Sequence, residues 1–399
     1  MTNCRTAILP QVADFVIKPE KGHMKIIHVC KVWYPRITGV TVHVDSLARK
    51  MAWSGHRVCV VTYDLTGNFT GSVDVFREDR TMYTVIRVRP GSRPLLADVI
   101  RKEKPDVVHA HGIWEHVWPS FLVARALHAG FFITAHGTWQ FLYDTPGFEK
   151  KTRQLKYRIY YHTLWRYMVM NATAMIALNV IETRVHKALG AARVFRIPNG
   201  VDCHRFRPEA GQISPEDDHL PGAFVLFAGA IQEQKGIFTL MEALGKLKEK
   251  GICVPVVVVG DGPHRDKAKR MALQENFPVI FKGRMDRIRM PNIMARARLF
   301  VLPSLDEPFA TVYLEAMASG TPCVGTRTGG TPEIIDHCIN GCLIPPGDSN
   351  ALARILEQFL SNPETFRQWG HNAREKVLSR FDWSILSEKI LRVYESRSM

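Results

Sequence analysis

Leu302–Pro322 reads LPSLDEPFATVYLEAMASGTP and holds the pattern on which the rest of the chain can be ordered. An apolar run ends at Leu302, a polar loop carries Glu307, and Pro308 suits the first position of a helix. Glu315 follows Glu307 by eight residues, about two helical turns. One carboxylate is therefore expected at a helix mouth and the other deeper in a cleft. The free amides of Phe309, Ala310, Thr311 and Val312 are expected to face an anion, as helix N-termini do with phosphates. An ionised carboxylate accepts two hydroxyl hydrogen bonds, which suits a sugar diol. Taken alone, the pair reads more readily as two solvated glutamates on an amphipathic helix, and the neighbouring residues change that.

The strand–loop–helix unit recurs in both directions. Downstream of the middle of the chain, FVLFA (Phe224–Ala228), VPVVVV (Val254–Val259), Val279–Phe281, Leu299–Leu302 and Cys323–Gly325 are short apolar runs, most followed by Gly or Pro and a helix. Upstream, KIIHVC (Lys25–Cys30), RVCVVT (Arg57–Thr62), DVVHA (Asp106–Ala110), Phe131–Thr134 and Met175–Leu178 do the same. Val44, Leu47, Ala48 and Met51 recur at helical spacing, and Gly55 closes that helix. Strands alternating with helices imply βαβ units and parallel sheets. Asp202–Gly222, rich in Pro, Asp, Glu and Gly, suits a linker. The expected architecture is α/β, with two Rossmann-like, doubly wound parallel-sheet domains facing across a cleft. Residues 1–23 read as an extension, 24–205 and 206–380 as the domains, and 381–399 as a closing helix with Leu386, Ile390, Val393 and Tyr394 at helical spacing.

With 399 residues, 46% of them hydrophobic and 23% charged, the chain is globular rather than disordered. No segment offers the roughly 18 uninterrupted apolar residues of a spanning helix, and Asp14 and Lys18 break any signal-peptide run. A cytoplasmic protein is expected. The eight cysteines are scattered, so reduced structural thiols are expected and no zinc site is proposed. The net charge of +15 is unevenly spread: residues 1–200 hold 28 Lys/Arg against 14 Asp/Glu, and residues 201–399 hold 25 against 24. A basic half attracts nucleic acid, an anionic membrane or a phosphorylated substrate. Within it, KTRQLKYRIYYHTLWRYMVM (Lys151–Met170) mixes cations with Tyr157, Tyr160, Tyr161, Trp165 and Tyr167. That mixture suits a helix lying on an anionic bilayer, and equally a helix with solvated cations and a packed aromatic face.

EPFATVYLEAMASGTPCV resembles the E-x7-E motif of family 4 glycosyltransferases, and TGGTPEII (Thr328–Ile335) and GCLIPPGD (Gly341–Asp348) follow as they do there. RIPNGVDCHRF (Arg196–Phe206), GAIQEQKG (Gly229–Gly236) and VVGDGP (Val258–Pro263) resemble the family's interdomain, phosphate-loop and strand-end signatures. The similarity runs from about Met24 to the end. It implies the GT-B fold and a retaining hexosyl transfer from a nucleotide diphosphate sugar, without metal or other cofactor. Glu315 would hold the ribose, Glu307 the transferred sugar, and the backbone at Phe309, Ala310 and Thr311 the sugar and diphosphate. Lys235 would neutralise the leaving diphosphate, and the loop at Gly39 would admit the leaving phosphate and the acceptor. His136, in ITAHGTWQ, would hydrogen-bond the transferred sugar or polarise the incoming charge. Two departures stand out: Ala230 where many relatives carry Arg, and Ala310 where glycine is usual.

His109 and His111, in VVHAHG, sit at a strand end that is expected to bury one and expose the other. Their spacing invites a metal reading, but no third ligand accompanies them in the sequence. The acceptor implied is a glycan or lipid-linked intermediate of surface polysaccharide or glycolipid assembly, with peripheral contact to the inner face of an anionic membrane and no nucleic acid. Two alternatives stay open at this point, a GT-B-shaped sugar-nucleotide epimerase and a degenerate, non-catalytic relative that binds a membrane or nucleic acid.

Overall fold

Runs such as Lys25–Cys30 and Val256–Val259 are buried along nearly their whole length, so both faces of the sheets they form must be covered by helices. The computed structural model describes residues 23–64, 75–79, 82–137, 159–211 and 220–396. The proposed extension before His23, Tyr157 and the middle of the proposed linker lie outside the described residues.

The first sheet contains β1 (Lys25–Cys30), β2 (Arg57–Tyr63), β3 (Val75–Asp79), β4 (Thr84–Val88), β5 (Val107–His111), β6 (Gly130–Thr134), β7 (Ala174–Ala177) and β8 (Val194–Arg196). Their order is β3-β4-β2-β1-β5-β6-β7-β8, and only the β3–β4 pair is antiparallel. The second sheet contains β9 (Val225–Ala228), β10 (Val256–Val259), β11 (Val279–Gly283), β12 (Leu299–Val301), β13 (Cys323–Thr326) and β14 (Gly341–Ile344). It is wholly parallel in the order β11-β10-β9-β12-β13-β14. Each order reverses once near its middle, between β1 and β5 and between β9 and β12. Such switch points leave a crevice beyond the carboxyl ends of the strands. The loops carrying Lys235 and Glu307 leave β9 and β12, and His111 ends β5.

The helix Trp383–Glu395 packs into the first domain. Its Trp383, Leu386, Ile390 and Tyr394 are buried with Leu47, Met51 and Phe132. Each such side chain contributes about 1.5–3 kcal/mol of hydrophobic stabilisation. The chain crosses between domains twice, and the crossings lie side by side: Val201 N–H donates to Phe381 O, and Trp383 N–H donates to Val201 O.

The helix carrying Glu315 begins at Thr311, three residues later than expected. Pro308 does not open it, because its carbonyl oxygen already accepts from Gly330 N–H at 2.9 Å and Asn179 Nδ2 at 3.0 Å. Glu307–Ala310 is therefore non-helical, and Phe309 and Ala310 approach the helix instead of forming its first turn. Gly39, expected in a loop, is the first residue of the helix Gly39–Trp53, whose N-cap Thr38 accepts from Thr41 N–H at 3.2 Å.

Candidate active site

Lys235 and Glu307 meet where the loops after β9 and β12 come together. Lys235 Nζ lies 2.5 Å from Glu307 Oε2; the glutamate side chain is 5% exposed and the lysine side chain 25%. The loops are tied by Leu305 N–H donating to Gln234 O at 2.8 Å. Gly236 turns with φ +75°, and a Cβ there would fall 1.9 Å from Pro303 O, so glycine alone permits this approach. Gly329 is as constrained, with φ +53° and a Cβ position 1.8 Å from Glu307 O. Ala230 is exposed and brings no charge, which leaves Lys235 as the cation of the Gly229–Gly236 loop.

Glu315 lies on the wall of a cavity of ≈ 250 Å³ lined by Tyr34 and Asp45 of the first domain, Arg205 at the crossing between domains, and Arg287 and Thr311 of the second. Arg287 Nη2 is 3.5 Å from Glu315 Oε1. Burial raises the Glu315 carboxyl above its usual range, and Arg287 and Arg205 pull the other way. Arg205 is itself lowered by burial and by Arg287 beside it. Neither arginine was singled out from sequence: Arg205 lies within the signature Arg196–Phe206 without an assigned role, and Arg287 is a lone cation in a polar loop.

The first domain contributes histidines. His136 follows β6 with φ +58°, a left-handed conformation uncommon outside glycine. Its Nε2 lies 3.2 Å from His111 Nδ1, and His111 Nε2 lies 3.0 Å from His28 Nδ1. His43 sets its ring edge-on to His136 at 4.7 Å between centroids, and its Nδ1 donates to Asn199 Oδ1 at 2.7 Å. Burial lowers every one of these imidazoles, His43 to about 4 against its Asn199 hydrogen bond, and like neighbours add to it for His28, lowered to about 3, His111 and His136. They are neutral rings at pH 7. The expectation that the strand end exposes one of His109 and His111 is wrong: both are fully buried, because β5 is central and covered on both faces. The missing third ligand is also supplied in space. His28, His109 and His111, and separately His43, His111 and His136, bring one ring nitrogen each within 4.8 Å of one another. Neutral imidazoles are the donor set zinc takes. Here, however, His109 is already engaged at both nitrogens, by Tyr394 Oη at 2.6 Å and Thr134 Oγ1 at 2.8 Å.

Two family profiles match: "Glycosyltransferase Family 4" over residues 37–205 and "Glycosyl transferases group 1" over 215–376. The chain belongs to glycosyltransferase family 4. It is 27% identical to N-acetyl-alpha-D-glucosaminyl L-malate synthase of Bacillus anthracis, over 91% of this chain and 94% of that one. Glycogen synthase of Mycobacterium tuberculosis is 26% identical over 93% and 94%. In fold it resembles sucrose-phosphate synthase from Thermosynechococcus elongatus (TM-score 0.75, 23% identity, 94% and 99% covered). It also resembles Anabaena HepE, solved with UDP and glucose (TM-score 0.71, 21% identity, 94% and 100% covered). Both likenesses show the GT-B architecture of two Rossmann-like domains.

In this glycosyltransferase the halves of the site are joined at the N-terminus of the helix Val180–Ala188. Asn179 caps it, its Oδ1 accepting from Glu182 N–H at 2.8 Å. Glu182 is fully buried and accepts from Gly137 N–H at 2.7 Å and Leu178 N–H at 2.8 Å. Glu333, from the second domain, accepts from Val180 N–H at 2.7 Å. None of these was singled out from sequence, although Asn-x-x-Glu at 179–182 is the spacing of a capping box. The structure thus pairs Lys235 with Glu307, sets Thr311 and Glu315 on one cavity, and surrounds His136 with histidines. Gly39 opens the helix whose Asp45 lines the Glu315 cavity.

Among the described residues no helix is long and apolar enough to cross a membrane. Of the aromatics in Lys151–Met170, Tyr161 and Trp165 are buried in the core, and Tyr160 donates to Ile113 O at 3.0 Å. Ile159, Tyr167 and Met170 stay exposed.

Proposed function

We propose that this glycosyltransferase moves a hexose from a nucleotide diphosphate donor to an acceptor hydroxyl with retention of anomeric configuration. The observation that carries the reading is the Lys235–Glu307 pair, a nearly buried carboxylate and a half-buried ammonium at a switch point of the second sheet. A buried ion pair is costly to assemble and is weak evidence for stability, which supports reading this one as functional.

The ammonium has three N–H donors and spends one on Glu307, leaving two for the diphosphate. As the bond from the anomeric carbon to the diphosphate oxygen breaks, negative charge grows on that oxygen and Lys235 stabilises it. The acceptor oxygen forms its bond on the face the diphosphate leaves, and its proton passes to the departing phosphate oxygen. No enzyme nucleophile is required. Glu307 and the half-buried, neutral His136 would hold the sugar hydroxyls, and Glu315 the ribose diol, with Arg205 and Arg287 opposing the upward pull of burial on its carboxyl. Phe309, Ala310 and Thr311 would present backbone to the sugar and diphosphate. Every role here is met by protein groups, so a metal-independent reaction is the reading. Anabaena HepE was solved with UDP-glucose, which favours trying uridine donors first.

The acceptor is proposed to be lipid-linked. Leu122, Tyr167 and Met170 are large exposed side chains, and Arg125 Nη1 donates to Tyr167 Oη at 3.0 Å, in the domain that carries nearly all the excess positive charge. Such apolar-and-basic surfaces suit a cytoplasmic protein touching an anionic leaflet.

Thermal unfolding with a panel of UDP- and GDP-sugars tests the donor site. One nucleotide series should raise Tm by a few degrees at saturation, and Glu315→Ala should remove the rise. Nuclear magnetic resonance of the product should show the donor's anomeric configuration. A panel that leaves Tm unmoved, or an inverted product, would overturn the reading.

A further inference from the structure

The site is assembled from two domains: the His136 loop belongs to the first and the Glu307 loop to the second. What they share is one helix end. Asn179 uses its amide oxygen to cap the helix Val180–Ala188 and its amide nitrogen to donate, 3.0 Å away, to Pro308 O, next to Glu307. Three residues on, Glu182 leaves the usual capping-box geometry. Instead of reaching back to the Asn179 N–H, its carboxylate takes Gly137 N–H, next to His136, and Leu178 N–H. Val180 N–H, another amide left free by the helix start, is satisfied by Glu333 of the second domain. The packing agrees: a Cβ at Gly330 would lie 2.6 Å from Pro308 O and 3.5 Å from the Asn179 Cβ, so the second domain's glycine turn closes directly over Asn179.

We infer that this helix end is a clamp holding the His136 loop and the Glu307 loop in register, with Asn179 and Glu182 as positioning residues for transfer. The inference rests on the glycosyl-transfer reading above. His136 occupies a left-handed conformation that its own chain does not favour, and the buried carboxylate of Glu182 on the following amide supplies what holds it there. Glu307 is fixed from below by Lys235, and the carbonyl that follows it is fixed from the opposite domain by Asn179. A hydroxyl and an anomeric carbon held from opposite domains need both loops correct to a fraction of an ångström. Neither residue has to touch the substrate.

Asn179→Asp separates capping from clamping. Aspartate caps a helix as well as asparagine but has no N–H to donate to Pro308 O. Glu182→Gln keeps the shape and one acceptor, and turns an NH2 group toward an amide that needs an acceptor. With a saturating sugar nucleotide, each variant should lose about tenfold or more in kcat while the donor Kd stays within about twofold of wild type. In hydrogen exchange, Gly137 or Leu178 N–H should exchange faster in Glu182→Gln and neither in Asn179→Asp, since only the first leaves one of these two amides facing an NH2 group. Asn179→Ser caps the helix but is too short to span the cleft, and should behave like Asn179→Asp. If wild type turns over and both Asn179→Asp and Glu182→Gln keep kcat within about twofold, the clamp is wrong and the transferase reading stands. If wild type binds and turns over no sugar nucleotide, the reading falls and takes the clamp with it.

Discussion

Lys235 and Glu307 are partners of unequal burial, and that asymmetry separates their effects on stability. The Lys235 side chain is 25% exposed and can turn its ammonium into the water of the cleft. The Glu307 side chain is 5% exposed, with Ser304 Oγ a further polar neighbour at 3.5 Å. Lys235→Met therefore strands a carboxylate with almost no solvent, which by precedent costs roughly 3–5 kcal/mol when complete and less where relaxation is possible. Glu307→Gln leaves a lysine that can rehydrate, at a cost of about 1 kcal/mol or less. On the roles proposed above, both should lower transfer sharply, since one would remove the cation at the leaving group and the other a charged ligand to the sugar. Urea unfolding of the two variants checks the asymmetry. Equal midpoints, or a larger loss in Glu307→Gln, would contradict it.

Strand ends and helix starts hold the site, and here the ease of reading the chain varied with where each element's partners come from. The histidine cluster makes a prediction about the elements that bear it, β1, β5 and the helix Gly39–Trp53. His43 falls from an ordinary value near 6.5 to about 4, and His28 to about 3, through burial. The unfolded chain therefore binds protons that the folded one refuses between these limits. Stability is complete above about pH 6.5 and is lost as pH falls toward about 4, by an amount on the order of 3 kcal/mol for His43 alone. Tm should decline from pH 7 to pH 5 and should decline less in His43→Gln, which keeps a side-chain group for Asn199. A Tm that is level across this range would count against neutral buried imidazoles. The strands themselves were plain in the sequence, because VVVV or KIIHVC between turn residues has few other readings. His28 was not, since within KIIHVC it looks like any residue of a buried strand, and its partner His111 is 83 residues away. Pro308 misled for the same reason: local propensity favoured a helix start, and a carbonyl claimed by Asn179 and Gly330 from elsewhere in the fold decided otherwise. The Glu307–Glu315 spacing was legible because it is local; the arginines around Glu315 were not, because Arg205 and Arg287 converge on it from two loops.

Across the whole molecule, charge and apolar exposure divide between the domains. Nearly all the excess of cations lies in residues 1–200, while the second half is close to neutral, so an anionic surface would draw the molecule in by one domain and leave the donor domain free to move. The surface around Tyr167 fits that role. Tyr167 lies against Trp118 and Phe121 with ring centroids 6.4 and 6.0 Å away, and Arg125 reaches its hydroxyl. Leu122 and Met170 are each 48% exposed in the same domain. Cations of this kind contribute about 1 kcal/mol each near an anionic leaflet, and the attraction decays within a Debye length of about 10 Å at 0.1 M salt. Binding to vesicles with acidic lipids should be measurable by flotation at low salt and should weaken steeply by about 0.5 M, whereas purely zwitterionic vesicles should bind far less. Replacing Tyr167 and Met170 together by Ser removes apolar contact without touching charge. It should lower the affinity for acidic vesicles by about tenfold and leave the salt slope unchanged, because the slope counts cations and the intercept counts buried apolar area. Flotation independent of lipid charge, or unaffected by the double substitution, would remove the membrane from the account of this enzyme and leave a soluble acceptor in its place.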